Sequence, residues 1–237
     1  MKNQVSHEGH RQRLKNRFLS SSLDNFEPHN ILELLLFYSI PRQDTNEIAH
    51  DLLNHFGSLK GVFDADFSEL IKIKGIKENS ATLIKLIPQI SRAYLLDKVS
   101  DDNLYDRADK IGEYLTSLYV GETVETVYIL LLDNSYHLLN TVKLIEGNVN
   151  SAVITPKKIF DEICKVNATM FVLAHNHPNG LPLPSKEDLD TTEMLASAFD
   201  LFEVPLLEHF VIAGDKYCAI VHETGYGKNM NTPILKF

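Results

Sequence analysis

Apolar residues recur at helical spacing through the first hundred positions, and beyond a polar break they give way to runs dense in β-branched and aromatic residues. Asn30 to Ile40 (NILELLLFYSI) reads as a mostly apolar helix stopped by Pro41, and Asn46 to Phe56 (NEIAHDLLNHF) as a second helix ended by Gly57. Phe67 to Ile73, Gly75 and Ser80 to Leu95 read as helix, tight glycine turn and helix. Lys98 to Asp106 (KVSDDNLYD) is polar and acidic, so a boundary is expected there, with domains 1–100 and 101–237. After it, Leu104 to Tyr119 reads as a helix. Val124 to Leu132 (VETVYILLL) and His137 to Glu146 read as strands, and Lys157 to Val166 as a short helix behind Pro156. Ala168 to Ala174 (ATMFVLA) suits a buried strand, and Leu206 to Ile212 and Tyr217 to Val221 complete a mixed sheet. The fold class expected is α+β, an all-helical domain followed by a mixed α/β domain.

Composition changes this picture little. With 237 residues and 44% hydrophobic content, the chain can bury one or two sizeable cores. The polar start, MKNQVSHEGH, and the lack of a long apolar run predict no signal peptide, no membrane span and a cytoplasmic protein. Cys164 and Cys218 lie far apart and outside any CxxC, so both are read as core thiols. Charge is uneven: residues 1–100 hold 13 Lys and Arg against 12 Asp and Glu, and the remainder 10 against 20. The net charge of −9 argues against wholesale nucleic-acid binding, although Arg11, Arg13, Lys15 and Arg17 form a local basic cluster. That cluster is either a solvated helix face or a phosphate-facing one. The hairpin around Gly75 points the same way, because a helix start exposes backbone amides that hold phosphate without reading sequence. Most such hairpins carry a second glycine where Lys77 stands here, and its ammonium offers a partial substitute.

The candidate chemistry lies in Ala174 to Asp188 (AHNHPNGLPLPSKED). On a strand, side chains two apart share a face, so His175 and His177 leave the buried run pointing the same way. Pro178, Gly180, Pro182 and Pro184 turn the chain back. A helix is expected from Ser185 as N-cap, with Leu189, Met194, Leu195, Ala198 and Phe199 as its stripe. Asp188 falls in the first turn of that helix, where an oxygen ligand would complete a site for a divalent ion that takes three protein ligands. The competing readings are a Ser185–Asp188 capping box and two histidines bonded to backbone; capping leaves a carboxylate oxygen free for ligation.

His175, Asn176, His177 and Pro178, followed by Ser185 and Asp188 with seven residues between His177 and Ser185, resemble the JAMM (MPN-plus) metal signature. Asn176, the NG turn and the PS pair look like its bacterial RadC-like branch. The HRQRL opening and HFGSLKGV resemble the N-terminal domain that RadC-like proteins carry, with its helix-hairpin-helix-like motif, so the likeness covers nearly the entire chain. The resemblance implies a cytidine-deaminase-like metal domain and one Zn2+ per chain, held by His175, His177 and Asp188. Glu125 would be the general base, with Glu146 as its rival, and Ser185 would donate a hydrogen bond to the oxyanion. It also implies a peptide or isopeptide bond as target, in a protein or peptide substrate of unknown identity. His209, preceded by Glu208 where the family shows Asp, reads as a buried structural histidine rather than a supporting one. The alternative is a DNA-associated accessory protein that binds nucleic acid weakly through the N-terminal hairpin, its metal domain non-catalytic.

Overall fold

The structure is a computed structural model that describes residues 2–41, 43–99, 103–147, 154–228 and 235–236. By internal contacts the chain divides into two compact units, Met1–Ile90 and Ser91–Phe237. The division falls inside a helix rather than in the polar stretch read as a boundary, of which residues 100–102 lie outside the described residues.

The first unit is helical: α1 (Lys2–Ser21), α2 (Pro28–Leu36), α3 (Asn46–Phe56), α4 (Leu59–Asp64), α5 (Phe67–Leu70) and the start of α6 (Glu78–Val99). Its core gathers Leu32, Leu36, Ile48, Leu52, Leu70 and Ile84, the apolar stripes of these helices. Glu33 is fully buried among them, and its carboxylate meets His10 Nε2 at 2.8 Å and Asn46 Nδ2 at 3.3 Å, as a buried charge requires. Of the basic cluster on α1, Arg13 is exposed, while Arg11, Lys15 and Arg17 are half-buried and make contacts within their own unit. Arg11 donates to Ile40 O at 2.7 Å and lies 4.7 Å from the Phe37 ring, Arg17 lies over Phe26 at 4.3 Å, and Lys15 lies over Tyr38 at 5.4 Å. At the hairpin, Gly75 has φ +93°, and a Cβ there would come within 2.6 Å of Ile48 Cδ1. Lys74 and Lys77 stay exposed beside it.

The second unit holds α7 (Ala108–Leu118), β1 (Thr126–Leu132), β2 (Leu138–Glu146), α8 (Pro156–Val166), β3 (Met170–Asn176), α9 (Lys186–Asp200), β4 (Leu206–Ala213), β5 (Lys216–Ala219) and α10 (Ile220–Thr224). The strands run in the order β2-β1-β3-β4-β5; only the β3–β4 pair is parallel. Residues alternate between faces. Tyr128, Leu130, Leu132, Val172 and Ala174 pack with α7, whereas Val127, Ile129, Leu131, Phe171 and Leu173 pack with Ile159 and Ile163 of α8 and Leu195 and Phe199 of α9. Both faces of β1 and β3 are therefore covered, which explains why those strands read as unbroken apolar runs.

Three details depart from expectation. The helix read from Leu104 begins at Ala108, because Leu104 instead bridges to His137. The last strand ends at Ala219, and Ile220 and Val221 belong to α10. Cys218 is buried, but Cys164 is exposed: it follows buried Ile163 on α8, and one residue is 100° around a helix. Among the described residues no helix is long and apolar enough to cross a membrane.

Candidate metal centre

Strand parity aims the first histidine. His175 continues the series Phe171, Leu173 on β3, so its ring emerges on the face covered by α9, while Asn176 turns to the other. His177 lies just past the strand end, and its backbone N donates to Ile212 O at 2.7 Å, which extends the pairing with β4 for one more residue. The two Nε2 atoms come within 3.2 Å. The loop then doubles back, and Leu181 O lies 3.0 Å from His177 Nδ1. A carbonyl only accepts, so Nδ1 carries the proton and Nε2 of the neutral ring keeps its lone pair. Gly180 lets this turn close, since a Cβ there would stand 3.1 Å from His177 Cβ.

The third side chain arrives from α9. Ser185 is its N-cap in a complete capping box: Ser185 Oγ accepts from Asp188 N at 3.2 Å, while Ser185 N and Oγ donate to Asp188 Oδ2 at 2.8 and 2.7 Å. Capping thus occupies one carboxylate oxygen. The other, Oδ1, faces His175 Nε2 at 3.3 Å, and His177 Nε2 stands 4.0 Å from Oδ2. Burial raises the Asp188 carboxyl, but the contacts with His175 and Ser185 outweigh it and hold the group well below the usual carboxylate range.

One ligand atom from each of His175, His177 and Asp188 lies within 4.8 Å of the other two. A tetrahedral ion with bonds of about 2.0–2.1 Å spaces its ligand atoms about 3.3–3.4 Å apart. The separations of 3.2 and 3.3 Å at His175 meet that spacing, the His177–Asp188 side is wider at 4.0 Å, and two imidazoles with one carboxylate are a donor set suited to zinc. The residues fit such an ion.

Glu125 is exposed and immediately precedes β1. With Val124, Gly147, His177, Asn179 and Gly180 it lines an open cleft of about 600 Å³. Its backbone is gripped on both sides. Asn176 Oδ1 accepts from Thr126 N at 2.7 Å, Asn176 Nδ2 donates to Val124 O at 3.1 Å, and Gly147 N donates to Glu125 O at 2.9 Å. Glu146, the rival base, is an exposed residue on the edge strand whose carboxylate pairs with Lys143 at 3.2 Å.

His209 is buried, as expected, but it also touches the site. Its Nε2 lies 2.9 Å from His175 Nδ1 and its Nδ1 lies 2.7 Å from Thr192 Oγ1. Burial, with His175 adding to it, drives its pKa well down, so the ring is neutral. Asn176 and Thr192 carry no pattern that assigns them these contacts. In the sequence His209 is marked by being a titratable residue inside the apolar run LLEHFVI and by the family resemblance at Glu208 and His209.

A family of known proteins described as the RadC-like JAB domain matches residues 105–226. The chain is also similar to UPF0758 protein FN0909 of Fusobacterium nucleatum subsp. nucleatum, 33% identical over 223 residues that cover 91% of this chain and 96% of that protein. The interleaving of helices with a mixed sheet, the histidines at the end of its central strand and these likenesses agree, and the chain belongs to the RadC family, with a RadC-like JAB domain at residues 105–226.

Proposed function

We propose that this chain is a zinc-dependent metallohydrolase that cleaves a peptide or isopeptide bond. The reading is carried by one observation: His175 and His177 from β3 and its exit meet Asp188 from α9 at ligand spacing, beside a cleft lined by a carboxylate. His175, His177 and Asp188 would hold the ion. When bound, it supplies Lewis acidity that polarises the scissile carbonyl and makes water a better nucleophile at neutral pH.

The remaining work falls to the chain. Glu125, which lines the same cleft as His177, takes a proton from the attacking water and passes it to the leaving amine. Its gripped backbone fixes where that side chain leaves the main chain. Ser185 Oγ, already directed at Asp188 Oδ2, orients the ligand carboxylate, and its single hydroxyl proton would have to leave that oxygen to meet an oxyanion. The edge-strand position of Glu146 and its ion pair with Lys143 favour Glu125 as the base.

The test is zinc content and turnover on peptide and isopeptide substrates for the wild type, Glu125→Gln and His177→Ala. Glu125→Gln is expected to keep zinc and lose roughly 10²–10⁴-fold in turnover, the usual share of a general base. His177→Ala is expected to lose both. A wild type that takes up no zinc, or a Glu125→Gln variant with unchanged turnover, sinks the proposal.

A further inference from the structure

We propose that Thr192 and His209 are positioning residues that fix the ring nitrogen His175 presents to the ion, through a hydrogen-bond relay anchored on the main chain of Asp188. The inference rests on the reading of His175 and Asp188 as ligands, and it follows from the direction each bond must take. Thr192 Oγ1 lies 2.6 Å from Asp188 O, and a carbonyl only accepts, so the hydroxyl proton goes there. The same oxygen lies 2.7 Å from His209 Nδ1 and has only lone pairs left to offer. His209 Nδ1 therefore carries the proton, and Nε2 of this buried ring is an acceptor. At 2.9 Å from it stands His175 Nδ1, which must donate. A neutral His175 then keeps its lone pair on Nε2, the atom that faces His177 Nε2 and Asp188 Oδ1.

The fold supplies the parts of this relay from separate elements. His209 pairs with Leu173 in the parallel β3–β4 ladder and shares its face, the one under α9. Thr192 stands four residues after Asp188, one turn along α9, so its hydroxyl reaches back to the carbonyl of the residue whose side chain would bind the ion. The main chain of one ligand thus orients the ring of another, and the registers of α9 and β3 are tied at the site. Ligating histidines generally need such a partner on the far nitrogen, and its loss typically costs 10–100-fold in metal affinity.

The experiment uses the full chain with zinc alone as the probe. Long-range 1H–15N spectra of histidine-labelled protein should show the His209 proton on Nδ1, with and without zinc. Zinc affinity, read by competition against a chromogenic chelator, should fall roughly 10–100-fold in Thr192→Val and stay within about threefold of wild type in Thr192→Ser. Thermal unfolding of the zinc-free variants reports whether the fold is kept. Should Thr192→Val fail to fold, the His209 spectrum of the wild type decides alone. A proton on His209 Nε2, or wild-type affinity in a folded Thr192→Val, overturns the relay. A wild type that binds no zinc overturns the metal reading instead, and the spectrum of the zinc-free chain still tests the bond directions.

Discussion

Asn176 sits between two histidines yet faces away from both, and what it does there is hold the chain on either side of Glu125. Asn176→Ala leaves the backbone N of buried Thr126 and the carbonyl of Val124 without these partners, so the Glu125 segment is free to shift. Since a displacement of about 1 Å in a catalytic group can cost on the order of 10²-fold in rate, turnover is expected to fall by roughly that factor while zinc affinity holds. Paired turnover and chelator-competition measurements check this, and a matched loss of affinity would show that Asn176 supports the ligands instead. The histidine pair, Ser185 and Asp188 were legible as residues because their spacing in sequence is local. The partners of Asn176, some 50 residues back, were not.

Elements show where local preference yields to contact. Gly112 lies inside α7, where alanine would be favoured by about 1 kcal/mol. Yet a Cβ at that position would stand 2.3 Å from Tyr217 Cε1, and displacing a packed ring typically costs about 1–3 kcal/mol. Gly112→Ala is expected to lower stability by on the order of 1 kcal/mol in urea unfolding, whereas in a Tyr217→Ala background it should raise it. Equal effects in both backgrounds would contradict the ring contact. At β4, the Glu208 carboxylate accepts from Val221 N at 2.6 Å and His222 N at 3.0 Å at the start of α10, and from His209 N at 2.8 Å. Burial nonetheless pushes its pKa from an ordinary 4.5 up to about 7, with Glu223 adding to the push. A raised pKa means that the folded chain binds this proton more tightly than the unfolded chain. The stabilisation is therefore complete below about pH 4.5 and lost as pH rises through about 7. Unfolding free energies measured from pH 4.5 to 8 should decline more steeply for the wild type than for Glu208→Gln, and parallel curves would refute the assignment. The strand read as Tyr217 to Val221 stops at Ala219, and Ile220 and Val221 enter a helical turn whose first amides Glu208 accepts from.

For the whole molecule, the candidate ligands belong to the second unit, as do the helices and strands that carry them. Zinc that binds only the folded state stabilises it by RT ln(1 + [L]/Kd), about 2.7 kcal/mol at a hundredfold excess over Kd. Hydrogen exchange with and without zinc is expected to slow at β3, β4 and the first turns of α9, with the helices of residues 1–90 unchanged. Protection confined to the first unit would place the ion elsewhere. The contacts of Arg11, Lys15 and Arg17 also give three of the four residues of the basic cluster a use within their own helical unit, which charge counting along the chain does not reveal.

Periodicity and spacing by themselves determined that helices precede a mixed sheet, and that two histidines and an aspartate flank a turn rich in proline. Both are properties of neighbouring residues, and short-range geometry translates them directly. Only the tertiary structure decided that the oxygen of Asp188 left free by its helix cap faces His175, that Asn176 grips the chain around Glu125, and that Thr192 and His209 stand behind His175. Those contacts join residues up to 52 positions apart. They exist because a five-stranded sheet with helices on both faces brings the strand ends and the start of α9 to one place, which no local pattern encodes.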